Sequence, residues 1–254
     1  MKAFRFFLHN LISSFFSPRI AFRALRSVPW YFSSLAKYRS MTSEKIPLLH
    51  LWPCLTDRYE AGGTSKGDYF HQDLWAAKKV YESRCPDHVD VASRVDGFVA
   101  HCAIFTRVTY VDIRPIETQI ENIIPKAGSL LELPFADQSL PSLSCLHVVE
   151  HIGLGRYGDP LDPMGSIKSM KELQRVLAPG GQLYFGLPIG RERVYFNALR
   201  IHSPLRVIET FSELTLKAFS AVNDAGNLVQ PADPRDFVER DYACGLFHFE
   251  RPPR

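Results

Sequence analysis

The sequence predicts an α/β fold built on a mostly parallel sheet. Three observations carry that expectation: a β-α-β unit between Leu143 and Leu187, strands that end on ionisable residues, and apolar stripes at helical spacing between the strands. Leu143 to Val149 is a short apolar run that stops at Glu150 and His151. After a Gly-rich loop, Asp162-Pro163 reads as an N-cap with proline at the first helical position. Ile167, Met170, Leu173 and Leu177 then recur at spacings of three and four, with Lys168, Lys171, Glu172 and Arg175 between them. Pro179-Gly180-Gly181 stops that helix and turns the chain into a second apolar strand, Gln182 to Leu187. Polar groups at the carboxyl end of a buried strand sit where open α/β sheets bind ligands.

The remaining elements follow in chain order. Residues 1–45 form a basic, aromatic-rich arm. It carries Lys2, Arg5, Arg19, Arg23, Arg26, Lys37 and Arg39 among Phe4, Phe6, Phe7, Leu8, Leu11, Ile12, Phe15, Phe16, Phe22, Trp30, Tyr31 and Phe32, with no acid before Glu44. Such a segment lies in the headgroup region of an anionic membrane, or packs as a helical arm on the domain or on a second subunit. His9 and Asn10 interrupt its apolar run and no small-residue cleavage site follows, which argues against a signal peptide. No stretch approaches the roughly 20 apolar residues of a spanning helix. Residues 46–67, with Pro47, Pro53, Gly62, Gly63 and Gly67, read as a linker into a domain at 68–254.

Asp68 to Arg84 has helical periodicity, with Phe70, Leu74, Ala77 and Tyr81 on one face and Cys85-Pro86 as its stop. Strands follow at His88 to Ala92 and Val108 to Val111, the second ending in Asp112. Beyond Pro204, Leu205, Ile208, Phe211 and Leu214 mark a helix. A strand from Leu216 to Val222, a turn at Asn223-Asp224-Ala225-Gly226 and a last strand from Asp241 to Phe249 complete the domain.

Composition narrows the function classes. A chain of 254 residues suits one α/β domain with an extension, and 46% hydrophobic with 22% charged residues is ordinary globular usage. A net charge of +3 makes no case for nucleic acid. The five cysteines are scattered without a CxxC, so reduced thiols and the cytoplasm are expected. Nine histidines without HxH or HExxH spacing give no expectation of a metal centre.

Several residues carry candidate chemistry. Asp112 ends a strand about 20 residues beyond Asp90, the place from which an acid holds ribose hydroxyls. The competing reading is a loop aspartate that starts the turn before Arg114-Pro115. His151 is the candidate general base, since imidazole titrates near neutrality; Glu150 and His202 are alternatives. Equally, Glu150 and His151 would serve to anchor the loop. Arg156, Tyr157 and Asp159 are candidates for substrate contact. His71 and Asp73, on the leading helix, either cap the pocket or sit on an exposed face.

In order along the chain, Leu133-Pro134-Phe135 with Asp137, the Glu150-His151 strand end, and Arg175-Val176-Leu177 followed by Pro179-Gly180-Gly181 resemble class I S-adenosylmethionine-dependent methyltransferases. The resemblance spans roughly Tyr69 to Phe249. It implies a three-layer, Rossmann-like, seven-stranded sheet, mostly parallel with an antiparallel last strand, and S-adenosyl-L-methionine as cofactor. It places Asp90, Ala92, Ser93, Arg94 and Gly97 at the cofactor's methionine end, Asp112 at the ribose, and Ser129 and Leu130 at the adenine. The chain departs from the family pattern at Ala92, Arg94 and Asp96, where glycines are usual, and Gly97 is displaced by one. Ser129 stands where an acid is usual, and Leu140-Pro141 replaces a Phe-Asp pair. Ser93-Arg94 followed by Asp96-Gly97 is similar to an uncharacterised branch found in bacteria beside genes for surface polysaccharides.

The implied reaction is O-methylation of a sugar or another small polar acceptor. The alternative is a catalytically silent methyltransferase fold acting as a membrane-associated partner in envelope polysaccharide assembly, held peripherally on the inner membrane by residues 1–41. A nicotinamide-dependent oxidoreductase would need G-x-G-x-x-G after the first strand, which Ala92, Arg94 and Asp96 contradict.

Overall fold

A computed structural model describes residues 18–43, 46–59, 63 and 65–253. Residues 1–17, with Lys2, Arg5 and the phenylalanines between Phe4 and Phe16, lie outside the described residues, as do Glu44 and Gly62. The chain divides into two units, Met1–Thr64 and Ser65–Arg254. In the first, helix α1 (Pro18–Met41) is followed by single helical turns at Leu48–His50 and Asp57–Tyr59. Arg39 donates to the Ile46 carbonyl at 3.0 Å, and the Arg58 guanidinium stacks 4.7 Å over Trp30.

The second unit opens with α2 (Asp68–Ser83). Strands β1 (Asp87–Val91), β2 (Arg107–Asp112), β3 (Ile123–Ala127) and β4 (Leu140–Leu146) follow. After α3 (Gly165–Val176) come β5 (Leu177–Ile189) and a separate hairpin of β6 (Arg193–Tyr195) and β7 (Leu199–Ile201). Helix α4 (Pro204–Thr210), β8 (Thr215–Val222), β9 (Leu228–Val229) and β10 (Ala243–Glu250) complete it. The main sheet runs β3-β2-β1-β4-β5-β10-β8-β9. The first five strands are mutually parallel, while β10 is antiparallel to both neighbours, β5 and β8. The sheet has eight strands where seven were expected. The addition is β9, a two-residue strand that the Asn223–Gly226 turn folds back onto β8.

Alternation along the central strands builds two cores. Leu183, Phe185 and Leu187 of β5 pack with Met170 and Leu173 of α3, Val207 of α4 and Phe211 just beyond it. Tyr184, pointing the other way, packs with Trp75, Ala76 and Val80 of α2 and with Phe98 and Val99. The result is a three-layer arrangement with helices on both faces of a largely parallel sheet.

The β-α-β unit forms with shifted boundaries. β4 ends at Leu146, so Glu150 and His151 stand on a separate helical turn, Val149–His151. Asp162 does not cap α3. Its carboxylate accepts from Met164 N at 2.9 Å and pairs with Lys168 at 2.7 Å, shaping the turn before Gly165. α2 also buries a different face from the one its large apolar residues mark. Phe70, Leu74 and Tyr81 are exposed, whereas Gln72, Asp73, Trp75, Ala76, Ala77 and Val80 are buried. Gln72 turns inward to a hydrogen bond with His147 at the mouth of the sheet, and Asp73 accepts from Gln72 and packs against Gly97.

Between the Val149–His151 turn and α3, a loop closes where Asp162 N donates to the Gly153 carbonyl at 3.0 Å. Gly153 has φ of 81°, and a Cβ there would lie 2.1 Å from the Asp162 carbonyl oxygen. Gly153→Ala is therefore expected to destabilise the domain by about 2–4 kcal/mol, combining left-handed strain with a backbone clash. Urea denaturation measures this, and a loss below about 0.5 kcal/mol would contradict the closure described.

Candidate active site at the carboxyl ends of the strands

The loop after β1 is fixed from below. Asp90 is fully buried and accepts from Ser93 N at 3.0 Å, Ser93 Oγ at 2.6 Å and Ser144 Oγ at 2.5 Å. Ser93 Oγ in turn accepts from Leu146 N of β4 at 3.0 Å. The His88 ring bridges Ser142 and Ser144 at 2.7 and 2.8 Å. Burial pushes the Asp90 carboxyl up to about 6 despite these donors, and pushes His88 down to about 3. The network delivers Ala92 in a left-handed conformation, φ 56°, with its N–H on the Val111 carbonyl at 2.9 Å. A small residue suffices there, which is how alanine occupies a place where glycine is usual.

Above this loop lies a cavity of about 600 Å³, within the range of small-molecule sites. Ala92, Ser93, Arg94, Asp112, Ser129 and Leu130 all line it. Asp112 accepts from Arg114 N at 2.7 Å and from the Tyr110 hydroxyl at 3.3 Å, with Arg114 Nε 3.9 Å away. Ser129 Oγ accepts from Leu131 N at 3.1 Å. Arg94 is held by Asp96 at 3.0 and 3.1 Å and stacks 4.7 Å over the Tyr69 ring. Two residues expected at the cofactor lie elsewhere. Asp90 sits beneath the loop as its anchor. Gly97 faces α2, where a Cβ would fall 2.0 Å from Asp73 Oδ2, so its lack of a side chain serves helix packing.

A second cavity, of about 270 Å³, shares Ala92, Arg94, His147, His151 and Tyr157 with the first. Asp68, Tyr69, Glu150, Arg156, Leu199 and Tyr242 complete much of its wall. His151 lies 2.7 Å from the Ala198 carbonyl through Nδ1. A carbonyl only accepts, so Nδ1 carries the proton and Nε2 keeps its lone pair. Burial holds the His151 ring below its ordinary range, hence neutral at pH 7, and Nε2 stands 3.6 Å from Glu150 Oε1. Glu150 is fully buried with no hydrogen-bond partner for either oxygen, and burial raises it to about 8.

His147 is a site residue that sequence reasoning missed. Its Nδ1 meets Gln72 Oε1 at 2.5 Å, Gln72 Nε2 faces Asp73 at 3.4 Å, and His147 Nε2 is buried without a partner. With β4 read as ending at Val149, His147 fell inside a strand. The strand's real end at Leu146 puts it at the mouth.

The other expected residues divide. Tyr157 packs edge-on to His151 at 5.6 Å, and Arg156 donates to the Ala198 carbonyl at 3.0 Å, so both frame the candidate base. Asp159 lines the larger cavity, but its carboxylate accepts from Gly153 N at 2.6 Å and Tyr157 N at 3.3 Å, which makes it a brace for the loop. His202 lines neither cavity. It is buried beside β5, where its N–H reaches the Pro188 carbonyl at 3.2 Å, and burial lowers it to about 4. Asp73 is buried against Gly97 and does not cap the cavity; His71 lines neither cavity. All five cysteines are free.

Comparison with known proteins places this geometry. Residues 135–227 match a family profile described as Caenorhabditis protein of unknown function, DUF268. A search of curated proteins finds no match. Among solved structures, a 1,6-didemethyltoxoflavin-N1-methyltransferase from Burkholderia thailandensis, with its acceptor and S-adenosylhomocysteine bound, is 14% identical. It aligns over 71% of this chain and 78% of its own with a TM-score of 0.50. A Galdieria sulphuraria protein described as a sarcosine dimethylglycine methyltransferase is likewise 14% identical, over 72% and 85%, with a TM-score of 0.50. At these identities the likeness is one of fold: the second unit has the Rossmann-like methyltransferase fold.

Glu150 gives this site a pH signature. Its folded value near 8 exceeds the ordinary 4.5, so the stability held below pH 4.5 is lost as pH rises toward 8, because the unfolded chain ionises first. Glu150→Gln is expected to abolish that loss, leaving the variant about 2–4 kcal/mol more stable than wild type at pH 8. Denaturant midpoints at pH 5 and 8 check it, and parallel profiles for the two proteins would refute the buried, proton-holding carboxyl.

Proposed function

We propose that the chain is an S-adenosylmethionine-dependent methyltransferase that O-methylates a sugar or another small polar acceptor. One observation carries the reading. The larger cavity, with a strand-end carboxylate at Asp112, meets a smaller polar cavity at a wall made of Ala92, His147 and His151. The residues fit the cofactor. Asp112 would hold the ribose hydroxyls through its carboxylate, Ser129 and the backbone beside it would meet the adenine, and Arg94, paired with Asp96, would bring a guanidinium to the methionine end.

When bound, S-adenosylmethionine supplies an electrophilic methyl group on a sulfonium centre. The chain's own contribution is position and a proton acceptor. Ala198 fixes the His151 tautomer, so Nε2 receives the proton of an acceptor hydroxyl, and the Glu150 carboxyl, kept protonated by burial, lies 3.6 Å from that nitrogen. Tyr157 and Arg156 restrict the ring's rotation, which keeps the base oriented toward the shared wall.

Calorimetric titration with S-adenosylmethionine and S-adenosylhomocysteine tests the cofactor. Asp112→Ala is expected to weaken binding by about 1.5–3 kcal/mol with the fold intact. No binding of either ligand by the wild type would overturn the proposal.

With an acceptor hydroxyl in place, His151→Ala is expected to lower turnover by about 10²–10⁴-fold while cofactor affinity stays nearly constant. The wild-type rate should fall on an acid limb below pH 6.5, since burial lowers the His151 pKa from that value and the protonated ring accepts no proton. Joint loss of binding and turnover would make His151 an anchor of the loop. Tight cofactor binding without turnover across a broad acceptor panel would favour the silent, membrane-associated alternative.

A further inference from the structure

Helix α1 belongs to the first unit, and the sequence around it is unlike the rest of the chain in composition. Seven of the chain's 30 lysines and arginines, and none of its 27 acids, fall between Met1 and Met41, so the remainder is net negative. On α1 the exposed residues sort into two adjoining stripes. Phe22, Leu25 and Phe32, at spacings of three and seven, stand 58–70% exposed. Arg23, Arg26 and Lys37, at spacings of three and eleven, are exposed and form a basic stripe alongside. The opposite face is of another kind: Ala21, Ala24, Val28, Tyr31 and Leu35 are half-buried. Among the described residues no helix is long and apolar enough to cross a membrane.

We propose that α1 lies flat on an anionic lipid bilayer, with Phe22, Leu25 and Phe32 at the boundary of headgroups and acyl chains and Arg23, Arg26 and Lys37 against lipid phosphates. The two stripes select this occupant by complementary demands. An apolar stripe alone would suit a protein groove, and a basic stripe alone would suit any polyanion. Side by side on one helix they match an interface that is apolar beneath and anionic above. Pairing with α1 of a second copy would set one basic stripe against another, at an electrostatic cost. Nucleic acid would take the basic stripe and leave the phenylalanines in water.

The test uses the full chain and sedimentation with vesicles of equimolar phosphatidylglycerol and phosphatidylcholine, or of phosphatidylcholine alone. At about 0.1 M salt, partition onto the anionic vesicles should exceed that onto neutral ones at least about tenfold, and about 0.5 M salt should erase most of the difference. The triple variants Phe22→Ser/Leu25→Ser/Phe32→Ser and Arg23→Gln/Arg26→Gln/Lys37→Gln should each lower partition by about tenfold or more, with unchanged melting by circular dichroism. Brominated-lipid quenching of wild-type fluorescence, compared with Trp30→Phe, reads insertion without those triple variants. Equal partition onto both vesicle types, or wild-type partition in either triple variant, overturns the proposal. So does wild-type quenching no greater than that of Trp30→Phe, a dimer that either triple variant converts to monomer, or binding to a DNA oligonucleotide in preference to vesicles.

Discussion

The buried carboxylate of Asp90 is the constraint on which the site depends. It takes three donors, two from the loop after β1 and one from β4, and through Ser93 it reaches the backbone of Leu146. One side chain thereby sets the left-handed turn at Ala92 and its distance from the strand that leads to His147. Both cavities share that wall. A buried carboxyl is expensive unless its oxygens are satisfied, and here the expense falls on an element that must be rigid for the site to have a shape.

The opposite condition holds at Glu150 and His147. Glu150 and His147 Nε2 are buried with nothing to bond, both on the smaller cavity. Buried orphans of this kind are costly and uncommon in native proteins; Trp75 Nε1, His202 Nε2 and Arg251 Nε are others, away from both cavities. Asp90 is hydrogen-bonded through both oxygens, whereas Glu150 and His147 Nε2 have no partner among the described residues. His151 stands between the two. Its Nδ1 is committed to Ala198 and its Nε2 is free, so the ring is oriented without being occupied.

Local sequence signals succeeded where a single element decides its own form. The Asn223–Gly226 turn forms where the sequence marks it, but α3 already ends at Val176 and Pro179-Gly180-Gly181 falls inside β5, beside a register shift against β4. Helical periodicity misled at α2. Phe70, Leu74 and Tyr81 mark a stripe by spacing, yet Gln72 and Asp73 are inside, because His147 offers Gln72 a hydrogen bond and the bare Gly97 leaves room for the Asp73 carboxylate. The resemblance implies Asp90 and Gly97 at the cofactor, yet Asp90 anchors the loop from beneath and Gly97 faces α2. Which side of that loop faces the cavity depends on β4 and α2, which the loop's own residues do not encode.

The sequence by itself determined the α/β class, the β-α-β unit, the carboxylate at the end of β2 and the segregation of positive charge into the arm. These follow from periodicity, turn chemistry and charge, all of which act over a few residues. The tertiary structure alone decided that β4 stops at Leu146, that His147 joins the site while His202 leaves it, and that Asp90 anchors the site from below. Those outcomes rest on hydrogen bonds across tens of residues and on which polar groups burial leaves unsatisfied. Both become defined only once the strands are side by side.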